Sequence, residues 1–430
     1  MLTAFMQAFR TPDLRGKLLF TLGIMALFRF GSVLPTPGVD IGNVQVCVGQ
    51  TEDAGLLGLI NVFSGGALLQ LSVFALGIMP YITASIIIQL LRVVIPRFEE
   101  LHKEGQSGNA TLTQYTRYLT IGLGVLQSST IVATAASGTL FPTCTVSVVP
   151  NASPLDLALM ILTMTAGTGL IMWLGELITE RGIGNGMSLL IFTSIVARMP
   201  QNLFSIVGTN NGVTKFLTVL VVILAATLAV VFIEQATRRI PVQYAKRMVG
   251  RRQYGGSTTY IPIKINTAGV IPVIFASSIL AMPQLIAQFG NQQSRWVRWI
   301  MDNFSQTDTV YLVGYGLLIL FFAFFYTAIT FNPEEIADNM KKYGGFIPGI
   351  RAGEPTVRYL THVINRVTTA GSVYLLALAL LPTAAVIWLG LSQNLPFGGT
   401  TILIMVGVGL QTVKEINSQL QQRHYEGFLS

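Results

Sequence analysis

The chain has three histidines, His102, His362 and His424, and none sits in an H-E-x-x-H pattern that would set two zinc ligands and a general base on one helix face. No apolar stretch carries a pair of aspartates, or a serine with a histidine partner, so intramembrane proteolysis lacks both its acid pair and its nucleophile–base couple. A Walker loop is also missing. Leu312-Val313-Gly314-Tyr315-Gly316 imitates a potassium-filter signature, yet it opens a long apolar stretch instead of following a re-entrant pore helix. Gly182-Ile183-Gly184-Asn185-Gly186 has the glycines of a phosphate cradle but no strand before it, so a tight turn opening a helix is the better reading. Glu176 and Glu234 lie at the ends of apolar stretches, and Arg29 is the main charge inside one. Ion-coupled transport generally needs buried acids or histidines, and they are scarce here. These residues predict no enzyme, no metal and no cofactor. What remains is a path.

The elements that would build such a path are legible in composition. Of 430 residues, 51% are hydrophobic and only 11% charged, against about 25% charged in a soluble protein. Ten apolar stretches read as membrane helices. They are Leu18–Leu34, Ser72–Leu91, Tyr115–Ala136, Leu155–Ile178, Ile183–Pro200, Phe216–Ile233, Thr267–Gln288, Thr309–Thr330, Thr368–Leu389 and Phe397–Val413. The polar stretch Thr209–Thr214 divides them into two halves, residues 1–210 and 211–430. Lys and Arg gather before the first stretch and in every second link, whereas Pro35–Gly55 and Ser137–Pro154 have none. Both termini are therefore expected on the cytoplasmic side, and most of the net charge of +8 is this bias. Cys47 and Cys144 then fall in external links, on the oxidising side, where they are expected to pair. Two free thiols are the alternative.

Two cytoplasmic links, 236–266 and 331–368, are too long for simple turns. The first reads as a protruding hairpin turning at Gly255-Gly256. The second starts a helix at Asn332-Pro333-Glu334-Glu335, which ends at Lys341-Lys342 and breaks at Gly344-Gly345. Their basic residues suit a cytosolic docking partner or a patch of anionic lipid. The piece 61–71, with paired Gly65 and Gly66, is too short to span. It either dips back from outside as a re-entrant half-helix that acts as a stopper, with Pro80 kinking the return, or lies flat at the surface.

Several stretches in order resemble the SecY family, whose members form the large subunit of the bacterial protein-translocation channel. They are Val62-Phe63-Ser64-Gly65-Gly66, FALGIMPYITASIIIQLL at 74–91, KEGQSG and QYTRY within 103–118, and MWLGELITERGIGNGMSLLIF at 172–192. NTAGVIPVIFASSI at 266–279, FFYTAITFNPEEIADNMKKYGGFIPGIRAGE at 324–354 and FGGTTILI at 397–404 complete the set. The resemblance implies an all-α membrane fold of two pseudo-symmetric five-helix halves around an hourglass pore in the bacterial cytoplasmic membrane. A plug would fill its outer funnel at 61–71, including Asn61, Phe63, Ser64, Gly65 and Gly66. It places an apolar pore ring at Ile78, Ile82, Met187, Ile191, Ile274 and Ile404, where Met187 departs from the usual branched residue. A lateral gate is implied along Thr83, Gln127, Asn266 and Met282. Arg351, Arg239, Lys246, Arg247 and Arg252 become the docking residues for the SecA motor or the ribosome; Ala352 stands where a proline is common. The implied partners are SecE, SecG, SecA, the ribosome, signal sequences and nascent polypeptides, besides anionic lipids. A small-solute transporter and a lipid scramblase or assembly scaffold are the competing classes.

Overall fold

Prolines, glycines and apolar stripes decide where this chain starts and stops its helices. The computed structural model describes residues 9–50, 64–138, 140–141, 144, 146–150, 152–207, 212–244, 247–249, 252–254, 258–289, 294–304, 308–389 and 399–426. It is mostly helical and groups into two compact units, Met1–Val221 with Ala385–Ser430, and Val222–Ala384.

In the first unit, α1 (Pro12–Gly31) opens on a proline, whose missing N–H costs nothing in a first turn. Its buried positions Leu14, Leu18, Thr21, Ile24, Phe28 and Gly31 recur every three or four residues and form one stripe. α2 (Ile41–Gln50) lies inside Pro35–Gly55, which the sequence reads as an open link. The overlooked signal is Asp40, whose carboxylate accepts the N–H groups of Gly42 and Asn43 at 2.9 and 3.3 Å and caps the helix. α3 (Met79–Val94) begins at Met79 and not at Ser72. Pro80 is therefore a first-turn residue, which corrects its reading as a mid-span kink: its fixed φ favours helix initiation, and the chain before it is folded in turns.

α4 (Pro96–Lys103) leaves α3 at 100°. Next come α5 (Gln106–Ala136), α6 (Pro154–Arg181) and α7 (Gly186–Val207). Ser153 caps α6 by accepting the Asp156 N–H and donating its hydroxyl to the Asp156 carboxylate at 2.7 Å. Small residues let α5 and α6 approach, with Gly124 facing Thr165 and Thr168, and a Ser128–Thr165 hydroxyl contact of 3.1 Å.

The second unit takes most of α8 (Gly212–Gln235), then the strands β1 (Thr237–Tyr244), β2 (Arg247–Val249), β3 (Arg252–Tyr254) and β4 (Thr258–Lys264), of which β2 and β3 pair with each other as a separate two-stranded sheet. After it come α9 (Ile271–Phe289), α10 (Arg295–Asn303), α11 (Thr309–Thr330), α12 (Pro333–Lys342), β5 (Gly345–Phe346) and α13 (Glu354–Leu389). β1 pairs antiparallel with β4, Ile240 opposite Ile261, and on its other edge with β5, Gln243 opposite Phe346. The two long links therefore meet in one sheet. Ile240, Val242 and Ile263 bury one face of it against Met340, Ile347, Leu360 and Ile364. α14 (Gly399–Glu426) returns to the first unit, where Ile416 joins Leu14, Leu18 and Ile183 in a buried cluster.

Helices face outward with apolar side chains. On α8, Val219, Ile223, Ala226 and Val230 are buried, while Leu217, Leu220, Leu224, Leu228 and Phe232 form an exposed stripe. α11 repeats this with Val313, Leu317, Phe321 and Phe324 outside. Such continuous apolar surface is stable only against lipid or another protein. Among the described residues, five helices are long and apolar enough to cross a membrane, or six if the bent pair α3–α4 counts as one.

Candidate functional site

Between α1 and α3 the chain runs from Ser64 to Ile78 as a succession of turns rather than a helix. Ser64, Ala67, Leu68, Leu71, Ser72 and Ala75 are completely buried there. Non-helical backbone must find its hydrogen bonds elsewhere. Here the Thr36 N–H donates to Leu71 O at 3.0 Å, the Val73 N–H donates to Leu34 O at 2.8 Å, and Pro35 bridges Ser72. The Ser64 hydroxyl accepts the Leu68 N–H at 3.1 Å. α6 gives way at Gly167, where a Cβ would collide with the Val73 carbonyl.

Leu68, Leu71, Ala75 and Leu76 sink into a cluster with Val44, Val132, Leu140, Phe141, Val148, Met160 and Met164. The Cys47–Cys144 disulfide, Cα atoms 5.2 Å apart, joins α2 to the α5–α6 link at the same cluster. The segment also carries strain. Leu71 is held at φ +45, the single non-glycine residue with positive φ among those described, which costs of order 1–3 kcal/mol. The buried hydroxyls of Thr36 and Ser72 have no partner among the described residues.

At the front of this segment two cations meet. Arg29 of α1 donates from Nη1 to the Gly65 carbonyl at 2.8 Å, and Arg198 of α7 donates from Nε to the same oxygen at 3.0 Å. Arg29 also reaches the Ser32 hydroxyl at 3.3 Å. Gly65 and Gly66 have φ of +66 and +89, the left-handed region that favours glycine, and a Cβ on Gly66 would overlap the Arg198 guanidinium. Arg198 is absent from the sequence-based site residues; its partner lies 133 residues away, so no local pattern could have found it.

The family profile of SecY matches residues 72–413. The chain belongs to the SecY family. It is 62% identical to protein translocase subunit SecY of Streptomyces coelicolor, and 56% identical to that of Mycobacterium tuberculosis, with 100% of each chain covered in both comparisons. Among solved structures, a protein-conducting channel matches with a TM-score of 0.60 at 19% identity, covering 94% of this chain and 91% of its own. Sec61 from a canine ribosome–channel complex of the endoplasmic reticulum gives 0.57 at 18% identity, with the same coverage. These likenesses show the fold. As a SecY-family member the chain is a multi-pass membrane protein, a channel subunit of a protein translocase and not a catalyst.

The residues that the SecY resemblance singles out fall as follows. In the first unit Ile78, Ile191 and Ile404 are buried, and Ile82 is half-buried. Met187 is half-buried with its sulfur against Gly175 of α6, where a Cβ would make the methionine shift. Ile274 is buried in the second unit. Asn61 and Phe63 lie outside the described residues. Thr83 is buried and returns its hydroxyl to Met79 O at 3.0 Å; Gln127 is half-buried on α5. Asn266 is buried and donates to the Glu234 carboxylate. Met282 lies in α9, and its side chain is outside those described.

Arg351 is exposed beyond the turn Ile347–Ile350, and Arg239 is exposed on β1. Arg247 pairs with Tyr254 and Arg252 with Val249 in the β2–β3 ladder, and Lys246 lies outside the described residues. Elsewhere, Arg117 grips Glu176 with two charge-assisted bonds, Nε to Oε1 at 2.9 Å and Nη2 to Oε2 at 2.7 Å, joining α5 to α6.

Proposed function

We propose that the chain is a passive, gated channel that passes unfolded secretory polypeptides across the bacterial cytoplasmic membrane and releases apolar segments sideways into lipid. It has ten membrane spans in two halves, with both termini cytoplasmic. The observation that carries this reading is the run of turns from Ser64 to Ile78, buried except at the half-buried Leu69 and Val73 and the exposed Gln70. Irregular backbone persists at membrane depth only when protein encloses it or water lines it, and a stopper in an outer funnel needs such a wall. Residues 61–71 form that stopper.

A polypeptide cannot cross bare hydrocarbon, since each unpaired peptide group costs several kcal/mol. Funnels on both sides keep it hydrated, and Ile78, Ile82, Met187, Ile191, Ile274 and Ile404 form a collar that conforms to any side chain without demanding hydrogen bonds. Sideways release follows transfer energies: a central Leu, Ile or Phe favours lipid by about 0.3–0.6 kcal/mol, and a central Lys or Asp disfavours it by about 2.5–3.5 kcal/mol. Thr83, Gln127, Asn266 and Met282 line the seam. SecE and SecG complete the complex, and SecA or the translating ribosome supplies the drive through Arg351, Arg239, Lys246, Arg247 and Arg252. Reconstitution with these partners should give preprotein that resists added protease. Accessible preprotein, with motor and partners active, refutes the reading.

A further inference from the structure

We propose that Arg29 and Arg198 are positioning residues that together hold the Gly65–Gly66 turn in the resting channel, and that this shared contact sets how readily the channel opens. The inference rests on reading residues 61–71 as the stopper. It names the attachment that gives way.

Two attachments hold the segment, and they differ in kind. Behind the turn, residues 67–76 are fixed by backbone bonds to Leu34 and Thr36 and by burial of Leu68, Leu71, Ala75 and Leu76 in the cluster closed by Cys47–Cys144. Releasing them would expose several apolar side chains and break two backbone hydrogen bonds. At the turn, the hold is one carbonyl oxygen accepting from two guanidinium groups. A carbonyl has two lone pairs and can satisfy both donors. The cations repel each other, and neither forms an ion pair with a carboxylate among the described residues. The Gly65 carbonyl and the Ser32 hydroxyl are what draw them together. Each donor contributes one charge-assisted hydrogen bond to the turn, so losing either one removes one of the two bonds that hold the Gly65 carbonyl. Gly66 belongs to this junction by subtraction: any side chain there displaces Arg198.

The test uses the complete translocase in planar bilayers and vesicles, comparing Arg29→Met, Arg198→Met and Gly66→Ala. Each should raise resting ion conductance about tenfold, as loss of one such contact shifts an equilibrium, and should admit a preprotein with a weakened signal sequence. Arg198→Met combined with Gly66→Ala should leak no more than either alone, because both remove the same contact. Arg198→Lys, which keeps a cationic donor, should restore most of the seal. Additive leakage, or no rescue by lysine, overturns the proposal. Removing residues 61–66 separates it from the reading beneath: leakage there with tight single variants sinks the arginine junction alone, and a tight deletion sinks the stopper as well.

Discussion

Ile404 sits in α14 with 2% of its surface exposed. Asparagine there would bury an amide, at a penalty of about 1–3 kcal/mol unless it finds a partner. In the proposed collar that penalty falls on the closed state, so Ile404→Asn should admit preproteins with defective signals; export of such a substrate measures it, and undiminished stringency counts against the ring. Glu176 allows a cleaner stability test. Glu176→Gln keeps its shape but removes the charge gripped by Arg117, which should lower stability by about 1–3 kcal/mol, read as a drop in Tm in detergent. The exposed Glu99–Lys103 pair at 2.6 Å is the contrast. Lys103 holds the Glu99 carboxyl below its usual range, so the small contribution is present at neutral pH and fades on acidification through that lowered value. Arg29 was legible as a charge inside an apolar stretch. What it touches was not, because the Gly65 carbonyl and Arg198 reach it from distant parts of the chain.

Elements with local signals were readable in advance. Asn332 accepts the N–H groups of Glu334 and Glu335 at 3.1 and 3.4 Å and starts α12 as its sequence suggests. The hairpin of link 236–266 follows from its alternating residues, but its expected turn at Gly255-Gly256 is corrected: β2 and β3 pair Val249 with Arg252, so the chain reverses between them, ahead of the glycines. Two elements went astray for physical reasons. Apolar residues 72–78 look helical by composition, but Leu34 takes the Val73 amide, the Ala75 and Gly77 amides close turns onto Ser72 and Phe74, and α3 waits for Pro80. α2 has little length or periodicity to announce it, and its cap is a single aspartate. The disulfide belongs at this scale. Replacing Cys47 and Cys144 together by serine opens a loop with a sequence separation of 97, which should lower stability by about 2–5 kcal/mol. Calorimetry under oxidising conditions, with reduced wild type as the second arm, should show the two forms melting together.

For the molecule as a whole, composition revealed the membrane class and an ordered set of short matches revealed the family, because lipid imposes apolar surface on every exposed helix face. The arrangement of the two halves is a matter of long-range contact that no stretch of sequence records. The proposed seam makes it testable: oxidative cross-linking of Thr83→Cys to Met282→Cys should stop export, and reductant should restore it. Undisturbed export by a fully cross-linked channel would place the opening elsewhere.

The pairing of β5 with β1 has a mechanical corollary. Gln243 and Tyr244 grip Phe346 and Gly345 edge to edge, while the ends of β1 and β4 run straight into α8 and towards α9. Under the docking proposed at Arg351, a cytosolic machine that pushes on that tip leans on a crossbar fastened to two helix roots. Thrust delivered to one loop becomes torque on both.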